Sequence, residues 1–184
     1  MKRRAFSFFS LFLVLLFLSA CSNNPKLELL HSSAEIISDE AKLGATVVTE
    51  GKDKGEKIIP TALYYEFTIK NIGSTEIVDL EAHIQPSNEL LLVLNDVMGF
   101  NIFNYDDPGY HDSGLGHGHT FTNLKPNQEG VFTLNYILGS SKQNSAVPLH
   151  PSAEKLIQLE QEALNAKLII THDKNEVARF NLDE

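Results

Sequence analysis

From residue 27 onward, apolar and polar positions alternate in short runs separated by turn-forming residues. Leu63, Tyr65, Phe67 and Ile69 interleave with Tyr64, Glu66, Thr68 and Lys70, the period of two that belongs to a half-buried strand. Asn71-Ile-Gly-Ser-Thr75 supplies turn chemistry, since Asn and Gly both tolerate positive φ. Val78, Leu80, Ala82 and Ile84 then alternate with Asp79, Glu81, His83 and Gln85 until Pro86-Ser-Asn88 stops the run. The two runs read as a hairpin or as a corner between two sheets. Leu90–Val97 is a mostly apolar run broken by Asn95 and Asp96, and it joins the strand candidates. Phe132, Leu134, Tyr136 and Leu138 alternate with Val131, Thr133, Asn135 and Ile137, after a Lys125–Gly130 turn. Ala166, Leu168 and Ile170 form one later face, and Ala178, Phe180 and Leu182 another, with His172-Asp-Lys-Asn175 as the turn between them. Leu27–Ser38 and Ala45–Thr49 are weaker strands, followed by a charged, solvated loop at Gly51–Lys57.

One segment breaks the pattern. In Pro151–Leu164, Leu156, Leu159 and Ala163 recur at helical spacing after an opening Pro-Ser pair, which predicts a single amphipathic helix before the last two strands. About seven to nine short strands with regular turns point to an all-β sandwich, with a closed barrel as the alternative. Tyr65–Ser74 and Asn127–Leu134 resemble strand-and-turn segments of immunoglobulin-like domains in bacterial envelope proteins. That resemblance implies an immunoglobulin-like β-sandwich over residues 27–184, although the Cys pair and core Trp of antibody domains are absent.

The first twenty-one residues follow a different logic. Met1-Lys-Arg-Arg4 is positive, and Ala5–Leu18 then runs fourteen residues without a charge, the length of a signal-peptide core and too short for a spanning helix. Leu18-Ser-Ala-Cys21 resembles the lipobox of bacterial lipoproteins. The resemblance implies that residues 1–20 are removed as a lipoprotein signal peptide and that the Cys21 thiol carries a diacylglyceryl thioether, with acylation of the new amino terminus available. Residues 21–26 then form the lipidated Cys and a short tether, and the domain sits on the extracytoplasmic face of the cell membrane. Two or more acyl chains make such an anchor stable, at about 0.8 kcal/mol per buried methylene.

Composition narrows the function. The 184-residue chain has 15 Lys+Arg against 24 Asp+Glu, one Cys and no Trp. Beyond residue 20 there remain 12 basic and 24 acidic side chains, a net charge of −12, which excludes nucleic acid as a partner held by the domain's own charge. With Cys21 committed to lipid, neither a disulfide nor thiol catalysis is available. No His-Glu-x-x-His, Gly-x-Ser-x-Gly or phosphate-binding Gly-Lys-Ser/Thr loop occurs.

One dense polar stretch stands out, Asn104–His119, with three His, three Asp, two Tyr and four Gly. His117 and His119 fall on the same side of an extended strand, and His111 with Asp112 could complete a three- or four-ligand set for Zn²⁺, Cu²⁺ or Ni²⁺. The glycines and Pro108 equally suit a long loop between strands, one that contacts a partner or serves only as a connection. The leading expectation is therefore a lipid-anchored, non-enzymatic binding or interaction module of the cell envelope, with residues 99–119 contacting a protein partner. A metal-binding lipoprotein using the 104–119 loop is the second reading, and an envelope hydrolase using that metal the third.

Overall fold

The structure is a computed structural model, and it describes residues 26–183. The expected signal segment, the Cys21 expected to carry lipid and all of the expected tether but Lys26 lie outside the described residues. The chain runs β1 (Leu27–Ile37), α1 (Glu40–Leu43), β2 (Thr46–Val47), β3 (Lys57–Ile58), β4 (Thr61–Asn71) and β5 (Leu80–Pro86). It continues through α2 (Asn88–Val97), α3 (Pro108–Ser113), β6 (His117–Thr120), β7 (Glu129–Gly139), α4 (Ala153–Glu162), β8 (Ala166–His172) and β9 (Asn175–Asn181). All pairings between these strands are antiparallel. They build a four-stranded sheet in the order β1-β4-β7-β6, a three-stranded sheet β5-β8-β9 and a small β2-β3 ribbon.

The alternation seen in the sequence decides which faces are buried. Leu63, Tyr65, Phe67 and Ile69 of β4 and Phe132, Leu134, Tyr136 and Leu138 of β7 share one core with Leu80 and Ile84 of β5 and Leu168 and Ile170 of β8. The step from β4 to β5 is a corner between sheets rather than a hairpin. Tyr65 and Tyr136 are both buried. The Tyr65 hydroxyl donates to the Ala163 carbonyl at 2.8 Å, which ties the end of α4 to the larger sheet. Burial pushes the Tyr65 phenol far above its ordinary value, so it remains a donor at any physiological pH.

The helix content departs from the expectation of a single helix. The predicted one is present as α4, capped by Ser152 and burying Leu156 and Leu159. Three further helices accompany it. The Leu90–Val97 run is α2 rather than a strand: the Ser87 hydroxyl accepts from Leu90 N, and Leu90, Leu94 and Val97 bury one helical stripe. A short apolar run has no decisive period, and the cap arbitrates. The 104–119 stretch is not a plain loop either, because it contains α3 and most of β6.

The corner after β4 is held by Asn71, whose side chain is fully buried. Its Nδ2 donates to the carbonyls of Thr75 (2.7 Å) and Leu124 (2.9 Å), and its Oδ1 accepts from Gly73 N (2.9 Å). Neither Asn71 nor Gly73 takes the positive φ that turn chemistry suggested; Asn127 in the facing turn does, at 63°. Asn71→Ala removes one buried and two partly buried hydrogen bonds to main-chain groups, while the Leu124 carbonyl keeps its bond from Ile77 N. We expect a loss of about 1–3 kcal/mol by urea denaturation, from about 0.5–1.5 kcal/mol for each hydrogen bond lost with partial recovery by water. A loss under about 0.5 kcal/mol, the scale of ordinary surface changes, would contradict this role.

Candidate functional site

Residues 99–120 are shaped by hydrogen bonds among their own polar groups and held to the core by Ile102, Phe103 and Tyr110. Asn101 Oδ1 accepts from Phe103 N (3.0 Å), Asn104 Oδ1 from Asp106 N (3.2 Å), and Asp107 caps α3 by accepting from Gly109 N (2.9 Å). The other Asp107 oxygen accepts from Asn101 N at 3.3 Å, which closes the segment on itself. Pro108 starts the helix with the φ its ring imposes, and Gly114 ends it in the left-handed region at 70°. Gly109 has no room for a side chain, since a Cβ there would lie 2.7 Å from Phe100 Cβ. Phe103 inserts into the core between Tyr65 and Tyr136, with ring centroids 6.2 and 4.7 Å away.

The four predicted metal ligands are not brought together. His117 stacks on Tyr105 (3.9 Å between centroids, 11° between planes), and its Nδ1 lies 3.0 Å from the Tyr110 hydroxyl. His119, two residues along β6, stacks on Phe121 at 4.9 Å. His111 pairs only with its neighbour Asp112 at 3.3 Å, and both side chains stand more than four-fifths exposed. Among the described residues no group of three or more His, Cys, Asp or Glu is arranged to hold a metal ion. Burial, then the charge of His119, holds the His117 imidazole below its ordinary value. The lowered value favours the neutral ring at pH 7, and in the tautomer protonated at Nε2 the Tyr110 hydroxyl donates to Nδ1.

Beside this segment lies a polar groove on the outer face of the three-stranded sheet. A cavity of about 430 Å³ is lined by His83, Asn101, Asn104, Thr171, Glu176 and Arg179, among others. A second, of about 550 Å³, shares Gln85, Pro86 and Arg179 with it and continues to Asn88, Asn165 and Lys167. Strand register places His83, Ile169 and Arg179 in one row across β5, β8 and β9. The Arg179 guanidinium donates Nε to one Glu176 oxygen (3.0 Å), Nη2 to the other (2.7 Å) and Nη1 to Gln85 Oε1 (2.5 Å). The forked hydrogen bond from Arg179 keeps the Glu176 carboxyl below its usual range. Burial lowers the His83 imidazole, opposed by Glu176 and assisted by Arg179. The groove thus offers donors and acceptors among which Arg179 and Glu176 neutralise one another, with Lys167, Lys174, Glu89 and Asp183 also in its lining.

Reading the sequence alone misses this trio. A strict period of two puts Glu176 and Arg179 on opposite faces of β9, but the ladder slips between Ile170 and Thr171. Val177 is the extra residue, and the slip turns Glu176 to the side of Arg179. An Arg three residues from a Glu next to a Gly-free turn carries no recognisable motif.

No protein-family model, curated protein or solved structure matches this chain.

The lowered imidazoles have a consequence for stability. The unfolded chain takes up these protons first, so stability is fully present above 6.5, the ordinary imidazole value, and is lost as pH falls toward the folded midpoints. NMR titration of the imidazole signals should place His117 and His83 below 6.5. A His117 midpoint at or above that value would contradict a partly desolvated imidazole stacked on Tyr105.

Proposed function

We propose that the chain is a bacterial lipoprotein anchored through lipid on Cys21 to the extracytoplasmic face of the cell membrane. Its immunoglobulin-like β-sandwich is a non-enzymatic binding module that presents the Arg179 groove to an envelope protein partner. Strand order supports the architecture. With β1, β4, β5, β6, β7, β8 and β9 lettered A to G, the sheets read A-B-E-D and C-F-G, the arrangement of constant-type immunoglobulin domains. The β2-β3 ribbon is then an insertion between A and B, α2 and α3 between C and D, and α4 between E and F. The N-terminal charge, apolar run and Leu-Ser-Ala-Cys21 box support the anchor.

One observation carries the binding role: a guanidinium clamped by Glu176 and Gln85 at the junction of two cavities, where a side chain of many rotamers has already been ordered. Preorganised polar groups lower the entropic cost of association. The 101–104 segment forms one wall, so the stretch singled out in the sequence contributes to the surface through Asn101 and Asn104 rather than through its histidines.

Cys21→Ala should move the protein from the membrane fraction to the soluble one. In cells, a photocrosslinker at position 83 should capture a defined envelope protein, while one at Leu92, on α2 and outside the groove lining, should not. Arg179→Ala should abolish that product while changing stability by no more than about 1 kcal/mol, since the pair it breaks is at the surface. Retention of the crosslink in Arg179→Ala would remove the groove from the binding surface.

A further inference from the structure

The corner that Asn71 pins also bears on how the domain meets the membrane, and this inference rests on the lipoprotein reading above. Cys21 and Lys26 are five residues apart in sequence, so they span at most roughly 17 Å. The surface around Lys26 is therefore confined close to whatever holds Cys21. Lys26 is fastened to the β4–β5 corner, because its carbonyl accepts from Ile72 N at 2.9 Å. The turn before β7 joins the same end, with Asn127 N donating to the Asn71 carbonyl at 2.8 Å.

Two features distinguish this end. Ile72 is 49% exposed and Val78, on the same corner, is 38% exposed, and the Asn71 side chain hydrogen-bonds the main chain there. Charge is also distributed unevenly. Residues 26–28, the 70–79 corner and the 124–129 turn carry Lys26, Lys70 and Lys125 against Glu28, Glu76, Asp79 and Glu129, a net charge of −1. The other nine basic and twenty acidic side chains of residues 21–184 lie elsewhere, a net charge of −11. An acidic domain is repelled by an anionic bilayer, and the repulsion is smallest for an approach that keeps the acidic surface away.

We propose that this end is a lipid-docking face: Ile72 sits in the interfacial region of the bilayer that holds the Cys21 lipid, and the groove around Arg179 is held in a fixed orientation to that bilayer. The lysine stems of Lys26 and Lys125 flank the contact with their ammonium groups toward the headgroups.

The absence of Trp makes the test direct, because a single introduced indole reports alone. Full-length lipidated chains carrying Ile72→Trp, Ser74→Trp or Leu92→Trp are reconstituted in phosphatidylcholine–phosphatidylglycerol vesicles with brominated acyl chains. Flotation with the vesicles reads anchoring, and far-UV circular dichroism reads folding. The proposal expects blue-shifted emission and loss of most intensity to the bromines for Ile72→Trp, a smaller effect for Ser74→Trp, and neither for Leu92→Trp. Equal quenching at positions 72 and 92 in chains that float overturns the docking face and leaves the lipoprotein reading standing. A blue shift at position 72 without quenching also overturns it, because a protein then covers Ile72. A wild-type chain that does not float removes the anchor, and with it this proposal. Should Ile72→Trp fail to fold, the contrast between Ser74→Trp and Leu92→Trp decides.

Discussion

Two phenols that cross the core hold the layers in register. Tyr65 and Tyr136 lie on neighbouring strands of the larger sheet, and each sends its hydroxyl away from that sheet. Tyr65 reaches the carbonyl at the end of α4, and Tyr136 hydrogen-bonds the Ile84 main chain and the Tyr105 hydroxyl. Burial pushes the Tyr136 phenol well above its usual value, as it does that of Tyr65. Neither hydroxyl can be removed without leaving a polar group in the core unpaired, and such a group costs more than a formed hydrogen bond returns. Apolar burial alone is indifferent to small slips between layers; these directional bonds are not.

Tyr136 also links the core to the proposed binding surface. Phe103 packs edge-on against its ring, Tyr105 bonds its hydroxyl, and Ile84 neighbours His83 and Gln85 in the groove. The wall of the groove and its β5 floor are thus positioned by one buried side chain. From Tyr105 the chain of contacts continues to His117 by stacking and from there to Tyr110 by the imidazole–hydroxyl contact. The histidine that looked like a ligand is spent on fixing the segment in place. The groove takes its polarity from elsewhere, from Arg179, Glu176 and Gln85.

How much of this was legible in the sequence follows from what each signal depends on. The strands β4, β5, β7 and β8 were readable because half-burial imposes a period of two; the alternation missed Tyr64 and Ile169, which are buried on the opposite face, and placed inside Val78, which is exposed. The helix α4 was readable from its spacing. By contrast, α2 is an apolar run whose helical nature rests on the Ser87 cap, a cue that competes with the neighbouring Pro86 turn. His117-Gly-His119 does lie on one strand, as the spacing suggested, yet metal binding needs a third ligand, and α3 leaves His111 and Asp112 in solvent. The Arg179–Glu176–Gln85 set was invisible because a bulge in β9 and a pairing partner 94 residues away in sequence bring it together. Residue spacing records local geometry and says nothing of such slips.

The link between core and groove can be tested by hydrogen–deuterium exchange on Tyr136→Phe beside the wild-type chain. Loss of the hydroxyl should raise exchange in residues 101–107 and in 83–86 together, while β1 and its ladder to β4 keep their protection. Uniform acceleration across both sheets, or no change at 101–107, would contradict a groove held in place by Tyr136.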